Sequence, residues 1–514
     1  MGSYWHAALL MFMCGAGCVT QDTYVCASDS NCVQGAVQGS CESQGFCSFP
    51  AEDCESGRRF ESKAGDTLAG SCVVDTPELI CGGLGEACCA DDVCQEGACG
   101  ADSTCQACGG IGQPCCTDNA CGSNAACEAG TCEQCALDIG LGRRHSCLLK
   151  ADGSVWCVGD NAQGKLGNNS EVASSTPVQV TALAGAELIT DATAIGVGKA
   201  HSCAIRTGGT VWCWGLNGRG QLGDGLATPM VGKASAVQVL KEIDNEPLGG
   251  IIQIQVADAA TYGLDSAGQV WSWGSNAFRQ LGNNTVVSRA VAAEVLTALD
   301  TPLVGAVELR AGAEHVCVIR NDQTVWCWGS SSLGEVGVGV FGSVGFARQA
   351  FSDAIALDTG RRHTCAVSSD STMSCWGNNL RGRIGVPTGS GNDYFVLSPI
   401  SVETMEREVF TGFTDLAMGA VSCGITQDKR VWCWGYNNHG QTGTGGGSRV
   451  PTLVTDLSGA PLESVARLIS NFAGVCAYLE DGSVQCWGRN SESQLPISST
   501  TNVGYPSPAL ETCP

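Results

Sequence analysis

A unit of about 55 residues that occurs seven times between residues 136 and 514 constrains this sequence more than any other feature. Its clearest copy runs from His201 to Gly223 and reads HSCAIRTGGTVWCWGLNGRGQLG. Two strand-sized apolar segments, Ala204-Ile205 and Val211-Trp212, flank the turn residues Thr207-Gly208-Gly209. The unit therefore predicts a β-hairpin at its centre.

Two cysteines of this hairpin are placed to face each other. If the turn is a three-residue loop with a glycine in the left-handed region, Cys203 lies opposite Cys213. Counted outward from the hydrogen-bonded pair Arg206 and Thr210, the cysteines form a non-hydrogen-bonded pair with Cα atoms about 4.5 Å apart. That separation suits a disulfide, and we predict one here.

The same cysteine spacing recurs in five other copies of the unit. The pairs are Cys147 and Cys157, Cys317 and Cys327, Cys365 and Cys375, Cys423 and Cys433, and Cys476 and Cys486. In the remaining copy both positions change together, to Tyr262 and Ser272, as expected of bonded partners. A metal site is the alternative, but two ligands per hairpin supply only half of a tetrahedral zinc site.

Seven copies of this unit predict an all-β domain over residues 136–514. The copies align on a Trp-Gly dipeptide, degenerate in the first: Val158-Gly159, Trp214-Gly215, Trp273-Gly274, Trp328-Gly329, Trp376-Gly377, Trp434-Gly435 and Trp487-Gly488. Units of this length with four strand-sized segments are typical of β-propeller blades, and seven is a common closed number. Closure of the ring also hides the edge strands.

The unit resembles the repeat of the RCC1 (regulator of chromosome condensation) family. The resemblance covers about 370 residues and lies in His-Ser-Cys-Ala-Ile, a glycine-containing turn, Val-Trp-x-Trp-Gly and Asn-x-x-Gly-Gln-Leu-Gly. Positions that match the last motif are Asn217, Gly220, Gln221, Leu222 and Gly223, and also Asn161, Gly164, Leu166 and Gly167. The resemblance implies a seven-bladed RCC1-like propeller that supplies a binding face. It selects no activity, since the family includes a nucleotide exchange factor, a plant light sensor and a secreted β-lactamase inhibitor.

Charge and cysteine content restrict the partners and the compartment. The chain has 51 acidic and 27 basic residues, a formal net charge of −24. So acidic a chain repels a phosphate backbone, and we expect no nucleic-acid partner. We interpret the isolated pairs Arg143-Arg144 and Arg361-Arg362 as local surface or salt-bridge residues. The 34 cysteines, spaced in pairs, indicate an oxidising compartment.

Residues 1–17 are typical of a signal peptide of the lipoprotein type. Ala7 to Met13 form an apolar run too short to span a membrane. Gly15-Ala16-Gly17-Cys18 resembles the lipobox of bacterial lipoproteins, although that family prefers leucine at the position of Gly15. The resemblance implies lipidation at Cys18 and a place at the outer membrane or cell surface. Plain secretion is the alternative.

Residues 18–80 and 81–135 form a cysteine-rich arm. Its three six-cysteine sets are Cys26, Cys32, Cys41, Cys47, Cys54 and Cys72; Cys81, Cys88, Cys89, Cys94, Cys99 and Cys105; and Cys108, Cys115, Cys116, Cys121, Cys127 and Cys132. So few apolar residues lie between them that disulfides must offset much of the ordering entropy. Zinc or redox CxxC motifs are a less favoured interpretation in an exported segment. The connectivity stays open, because six cysteines allow fifteen pairings.

Cysteine parity predicts how the ring is closed. When Cys14 leaves with the leader and Cys18 is acylated, the pairs and modules above account for every cysteine except Cys135 and Cys513. Alignment of the chain ends with the junction of the first two blades places these two where a covalent loop joins other blades. We predict a disulfide between them, worth roughly 5 kcal/mol at most in the chain-entropy model.

Two other residue types recur in the repeat. His145, His201, His315 and His363 each precede a blade cysteine by two residues, whereas three blades have Ala260, Val421 or Gly474 there. We expect these histidines to bond to neighbouring backbone rather than to hold a metal. Eleven of the twelve tryptophans lie in blade motifs. We assign them to the core between blades rather than to an exposed platform for carbohydrate or a chromophore.

The sequence favours a non-enzymatic cell-surface or secreted binding or scaffold protein, a monomer that binds a protein or surface ligand through a propeller face. No GxSxG, HExxH, P-loop or Rossmann motif stands in a fitting context, so we expect no catalytic residue and no cofactor. The loops from Asp224 to Val237 and from Gly385 to Phe395 vary most between copies, and we expect them to set specificity. The alternatives are an exported hydrolase or lyase with its site in a propeller cleft, or a secreted protein inhibitor.

Overall fold

The computed structural model describes residues 136–508, apart from 227–231, 388–393, 471–473, 481–482, 498 and 500, together with the backbone of short strands within 19–134. The chain divides into two compact units, 1–106 and 107–514. The predictions for Cys18, Cys135, Cys513 and the side chains of the N-terminal cysteines lie outside the described residues.

The N-terminal region contributes only short antiparallel strands. They are β1 (Val19–Thr20), β2 (Tyr24–Val25), β3 (Val33–Gln34), β4 (Val37–Gln38), β5 (Ser40–Cys41), β6 (Cys47–Pro50), β7 (Arg58–Phe60), β8 (Ala98–Cys99) and β9 (Cys105–Gln106) in the first unit, and β10 (Ala125–Glu128) and β11 (Thr131–Gln134) in the second. They pair as β1-β2, β3-β4, β5-β6-β7, β8-β9 and β10-β11.

Seven blades of four antiparallel strands follow, one for each copy of the repeat. Blade 1 is β12 (Ala136–Leu141), β13 (His145–Lys150), β14 (Val155–Gly159) and β15 (Ser174–Gln179). A linker with β16 (Thr181–Ala182), a 3-10 turn (Leu183–Gly185) and β17 (Glu187–Leu188) leads to blade 2: β18 (Ala192–Val197), β19 (His201–Arg206), β20 (Thr210–Leu216) and β21 (Gly232–Gln238). In blade 2 the linker strands β16 and β17 extend the sheet beyond β21. Blade 3 is β22 (Ile251–Val256), β23 (Ala260–Asp265), β24 (Val270–Gly274) and β25 (Arg289–Glu294).

The linker strands β26 (Leu296–Ala298) and β27 (Thr301–Pro302) precede blade 4: β28 (Ala306–Ala311), β29 (His315–Arg320), β30 (Val325–Ser331) and β31 (Gly342–Phe351). Blade 5 is β32 (Ala354–Thr359), β33 (His363–Ser368), β34 (Met373–Asn378) and β35 (Phe395–Ser401). Blade 6 is β36 (Phe413–Met418), β37 (Val421–Thr426), β38 (Val431–Gly435) and β39 (Thr452–Leu453), and blade 7 is β40 (Val465–Ser470), β41 (Gly474–Leu479), β42 (Val484–Gly488) and β43 (Val503–Pro508). The predicted all-β, seven-bladed propeller is confirmed.

The central hairpin of each blade has the register that the cysteine spacing requires. In blade 2, Arg206 is opposite Thr210 and Cys203 is opposite Cys213. The structure places all six pairs as disulfides with Cα atoms 4.0–4.2 Å apart. Tyr262 faces Ser272 at the same register in blade 3.

The hydrophobic core lies between blades rather than at one centre. The second tryptophan of each Trp-x-Trp motif is fully buried, as at Trp214 and Trp434. The indole N–H of Trp214, Trp328 and Trp434 donates to a main-chain carbonyl of the preceding blade, as from Trp214 to Lys165 (2.9 Å), whereas that of Trp273 has no partner among the described residues. The first tryptophan is slightly more exposed, and in two blades a cation covers its ring: Arg206 lies 5.1 Å from Trp212, and Arg320 lies 5.3 Å from Trp326. The tryptophans therefore hold neighbouring blades together.

The glycine of the Gly-Gln-Leu-Gly motif is required by close packing against the next blade. Gly220 has φ +78°, and a Cβ atom there would lie 2.6 Å from Cα of Ala290 in β25. Just beyond this motif, the N–H of Gly225 donates to the carbonyl of Ala290 (2.8 Å). The loop of one blade thus covers the outer strand of the next, which protects an exposed sheet edge.

The ring closes through side chains between blades 7 and 1. Arg467 of β40 forms a salt bridge with Asp138 of β12, with 3.1 Å between Nη2 and Oδ1. Ile139 and Leu148 pack with Val484 in a shared apolar cluster. Within the described residues each blade is built from consecutive strands, so no strand is exchanged across this junction.

Candidate binding face around the channel mouth

The first strand of each blade lines a central channel, because the first strands contact one another in order around the ring. One end of the channel holds a cavity of about 170 Å³, lined by the last residues of these strands and by the turns that follow them. We call this end of the propeller the turn face. The opposite end, where the segments that join successive blades lie, is the linker face.

Basic side chains dominate the turn face. The turns after the first strands carry Arg143, Arg144, Lys199, Arg361 and Arg362 against Asp258 and Glu314. The connections between the third and fourth strands carry Lys165, Arg219, Arg279, Arg381, Arg383, Arg449 and Arg489 against Asp160, Glu171, Asp224, Glu335 and Glu492. In the described turns and connections at this end, twelve basic residues are therefore accompanied by seven acidic ones.

The linker face has the opposite charge. In the described segments that join second to third strands or join blades, the basic residues are Lys241, Arg407, Lys429 and Arg430. The acidic ones are Asp152, Glu187, Asp191, Glu242, Asp244, Glu246, Asp300, Asp322, Asp353, Asp370, Glu403, Glu406, Glu408, Asp428, Asp456, Glu463 and Glu480. The acidity of the propeller is therefore concentrated on one of its two faces.

The two arginine pairs are surface residues that form local salt bridges, as interpreted from the sequence, and Arg144 lies 4.0 Å from Glu492. Arg143 and Arg361 line the same cavity together with Lys199. Arg361 does form a salt bridge, at 3.5 Å from Asp258, and the same carboxylate lies 3.8 Å from Lys199. The sequence contains a sign of this shared location in the repeated tetrapeptide Gly-Arg-Arg-His. Residues at the same repeat position in two blades must lie at the same end of the channel.

Carboxylates inside the channel wall form a structural network. Arg310 lies 2.7 Å from Glu308 and 3.5 Å from Asp358. The Asp358 oxygens also accept the N–H groups of Thr359 (2.8 Å) and Met418 (2.6 Å). Burial raises the pKa of Asp358 to about 6 against the opposing effect of Arg310. Both oxygens of Asp358 are engaged, so this side chain joins blades 4, 5 and 6 and is poorly placed for acid–base chemistry.

The four repeat histidines bond to side-chain hydroxyl groups of the next blade, and His315 alone also has a hydrogen bond with neighbouring backbone, at His363. His201 Nε2 lies 2.8 Å from Thr261 Oγ1, which donates to the carbonyl of Gln221 (2.9 Å). The hydroxyl must accept from the ring, so Nε2 carries the proton. The other pairs are His145 with Ser202, His315 with Thr364 and His363 with Ser422. Each histidine lies in a separate interface, and the described residues contain no cluster of three or more ligands that could hold a metal.

The loops expected to set specificity overlap with strands. The segment Asp224 to Val237 includes most of β21, which begins at Gly232, and β35 begins at Phe395. The variable part of each loop is therefore shorter than the sequence comparison indicated. In the described residues no helix has the length and apolar character needed to cross a membrane.

Comparisons with known proteins agree on the propeller. A family model for the RCC1-like domain matches residues 97–474. The ultraviolet-B receptor UVR8 of Arabidopsis thaliana is 25% identical over 379 residues, which cover 72% of this chain and 80% of the receptor. The human E3 ubiquitin-protein ligase HERC2 is 25% identical over 320 residues, which cover 62% of this chain but only 6% of the ligase. The chain thus spans a small fraction of that relative.

Solved structures show the same fold at low sequence identity. Prp20p of Saccharomyces cerevisiae aligns with a TM-score of 0.56 and 18% identity, covering 69% of this chain and 85% of that protein. Human WBSCR16 aligns with a TM-score of 0.55 and 19% identity, covering 69% and 93% respectively.

Proposed function

The chain belongs to the family of RCC1-like domains, and from that premise we propose that it is a non-enzymatic binding protein whose turn face holds a protein partner. Prp20p, which shares the fold, is described by its binding to Gsp1p and histones. Protein binding is therefore the first function to test for this chain.

The separation of charge between the two faces is the observation that carries this proposal. The described turns and connections of the turn face carry twelve basic residues and seven acidic ones, although the whole chain has a formal charge of −24. Folding gains nothing from gathering like charges at one end, because like charges repel. A concentrated field of one sign steers and orients a partner of the opposite sign. The turn face therefore has the electrostatic character of a docking surface.

The enzyme alternative gains no comparable support. The acidic residues nearest the cavity are Asp258, which is paired with Lys199 and Arg361, and Asp358, whose oxygens accept main-chain N–H groups. A general acid or base needs an oxygen that faces the substrate. The binding function explains the face without such a group.

A photo-crosslinking residue placed on each face tests the proposal. Val287 on the turn face is 67% exposed and Leu457 on the linker face is 86% exposed. We expect ultraviolet crosslinking on intact producing cells to join a discrete partner to the probe at position 287 and not at position 457. Mass spectrometry of the adducts from the two positions identifies the crosslinked partner and compares the yields.

Charge reversal supplies the matched controls. Arg143→Glu with Arg144→Glu should lower the crosslink yield from position 287 several-fold, because both residues lie at the basic channel mouth. Lys429→Glu with Arg430→Glu, the same change on the linker face, should leave the yield unchanged. Adducts formed only from position 457 would contradict the proposal.

We also propose that the protein is exported and held at a membrane through Cys18. The hairpin disulfides support export, because an oxidising compartment is needed to form them. Expressed in a Gram-negative host, the protein should partition into the detergent phase of a phase-separating extract, and Cys18→Ala should move it to the aqueous phase. A wild-type product already found in the aqueous phase would contradict the anchor.

A further inference from the structure

A second cavity on the turn face lies between blades 5 and 6. Its volume is about 360 Å³, and its polar lining consists of Arg381, Tyr436, Asn437, Asn438, Ser448 and Arg449. Arginine, amide and hydroxyl groups together are well suited to binding a carboxylate. This cavity is separate from the one at the channel mouth.

Two arginines beside this cavity share one aromatic ring. Arg381 and Arg383 lie over the ring of Tyr436, with 6.0 and 5.9 Å from each guanidinium carbon to the ring centroid. Elsewhere on the face Lys165 lies 2.6 Å from Asp160, and Arg489 lies 3.5 Å from Glu492. No described carboxylate oxygen lies within 4.0 Å of Arg381 or Arg383, which contact the Tyr436 ring and, for Arg383, main-chain carbonyls.

The position of Arg383 is fixed, and its charge is costly. Its Nε donates to the carbonyl of Ala420 (3.0 Å) and its Nη1 to that of Leu380 (2.7 Å). Burial, together with the neighbouring Arg361 and Arg381, lowers the pKa of Arg383 to about 10. A partly buried positive charge without a counter-ion is unfavourable, so an anion in the adjacent cavity relieves this cost.

An exposed aromatic patch adjoins the arginines. Phe341 and Phe395 contact edge to face with ring centroids 5.1 Å apart, and they are 58% and 39% exposed. Tyr394 is 68% exposed, and its carbonyl accepts the N–H of Asn379 (2.8 Å), two residues before Arg381. Aromatic and arginine side chains side by side are the residue types that dominate binding energy at protein interfaces.

We propose that this sector of the turn face binds an extended acidic polypeptide segment, with a carboxylate at Arg381 in the cavity and an apolar side chain on Phe341 and Phe395. The inference rests on the proposed function and names the chemistry of its partner. Charge complementarity selects the acidic segment, and the apolar patch selects a peptide over a nucleic acid, whose continuous phosphates would be repelled by the acidic remainder of the chain.

Fluorescence anisotropy with the full chain and two labelled dodecapeptides tests the proposal. One peptide is glutamate-rich with a central Leu-Phe pair, and the other has glutamine in place of glutamate. We expect the acidic peptide to bind at least tenfold more tightly than the glutamine peptide and to weaken as salt rises. Arg381→Glu and the milder Arg381→Gln should each weaken the acidic peptide roughly tenfold or more, with unchanged thermal unfolding.

Arg219 supplies the matched control, because it occupies the repeat position of Arg381 in blade 2 and lies on the same face. Arg219→Glu should change peptide affinity by less than about threefold, since the effect belongs to one sector. An equal loss of peptide affinity in Arg219→Glu and Arg381→Glu would contradict the proposed site. Tighter binding of a 20-base-pair DNA than of the acidic peptide would contradict it as well. If position 287 still crosslinks a partner while Arg381→Gln leaves peptide binding unchanged, this inference fails and the proposed function stands.

Discussion

Reduction of the disulfides under otherwise native conditions is expected to unfold the propeller. Each bond closes a loop of about ten residues, and the chain-entropy model values such a cross-link at about 2 to 3 kcal/mol. Six such losses amount to about 12 to 18 kcal/mol, which equals or exceeds most of the range of roughly 5 to 15 kcal/mol that is usual for a folded domain. The sulfur atoms are also fully buried in the core between blades, so free thiols change packing as well as chain entropy.

Removal of one bond isolates its contribution. Cys203→Ala with Cys213→Ala should lower the free energy of unfolding by about 2 to 3 kcal/mol in denaturant titrations. Blade 3 shows that the hairpin forms without the bond, because Tyr262 faces Ser272 in the same register. The double variant should therefore keep seven blades.

Peptide mapping without reducing agent checks the pairing itself. We expect a linked peptide that contains Cys203 and Cys213. A bond from either cysteine to another blade would contradict the register. An unchanged melting temperature after complete reduction would contradict the predicted energetics.

Acidification from pH 7 to pH 5 is expected to lower the free energy of unfolding strongly. Burial lowers the pKa of His145 and His201 to about 3 and that of His315 to about 4, and it lowers the pKa of His363 as well. Below an unfolded pKa near 6.5 the unfolded chain binds protons that the folded chain does not. Each histidine therefore costs roughly 1.4 kcal/mol per pH unit between about pH 6.5 and its folded pKa.

Charged neighbours change the size of this effect in both directions. Lys165 near His145 and Arg383 near His363 lower those pKa values further, whereas Asp160 opposes the shift at His145. The contribution of Asp358 to the pH dependence has the opposite sign. Its pKa is raised to about 6, so on acidification the folded state binds a proton at this carboxylate before the unfolded state does. Between pH 6 and pH 4 the proton on folded Asp358 offsets about one of the four protons that the unfolded chain binds at the histidines. The net loss on acidification remains large.

Urea titrations at pH 7 and pH 5 measure the predicted slope. The repeat itself indicates a suitable control variant. Val421 stands at the histidine position of blade 6, and Val475 stands at the facing hydroxyl position of blade 7. His363→Val with Ser422→Val should remove the contribution of one histidine to the change in the free energy of unfolding between pH 7 and pH 5. A stability that is flat between pH 7 and pH 5 would contradict the burial of neutral histidines.

The repeat is the part of this protein that sequence determined most completely. Ten-residue cysteine spacing, paired loss at Tyr262 and Ser272, and the Trp-Gly positions predicted the hairpin register and the number of blades. These features are local, because strand pairing within a hairpin depends on a short turn and on residues near it in sequence. Alternate Trp-x-Trp positions likewise predicted which face of each blade packs against a neighbour.

The binding face depended on tertiary structure, because no local rule places residues from seven blades around one channel. The net charge says only that the chain is acidic and not where the charges lie. In the folded propeller, the turns with Arg143 and Arg361 lie at one end of the channel and the acidic linkers lie at the other. The partner of each histidine was also missed, although His201 with Thr261 and Val421 with Val475 vary together between blades. The cavity beside Arg381 arises only where blades 5 and 6 meet, since its lining comes from loops about 55 residues apart.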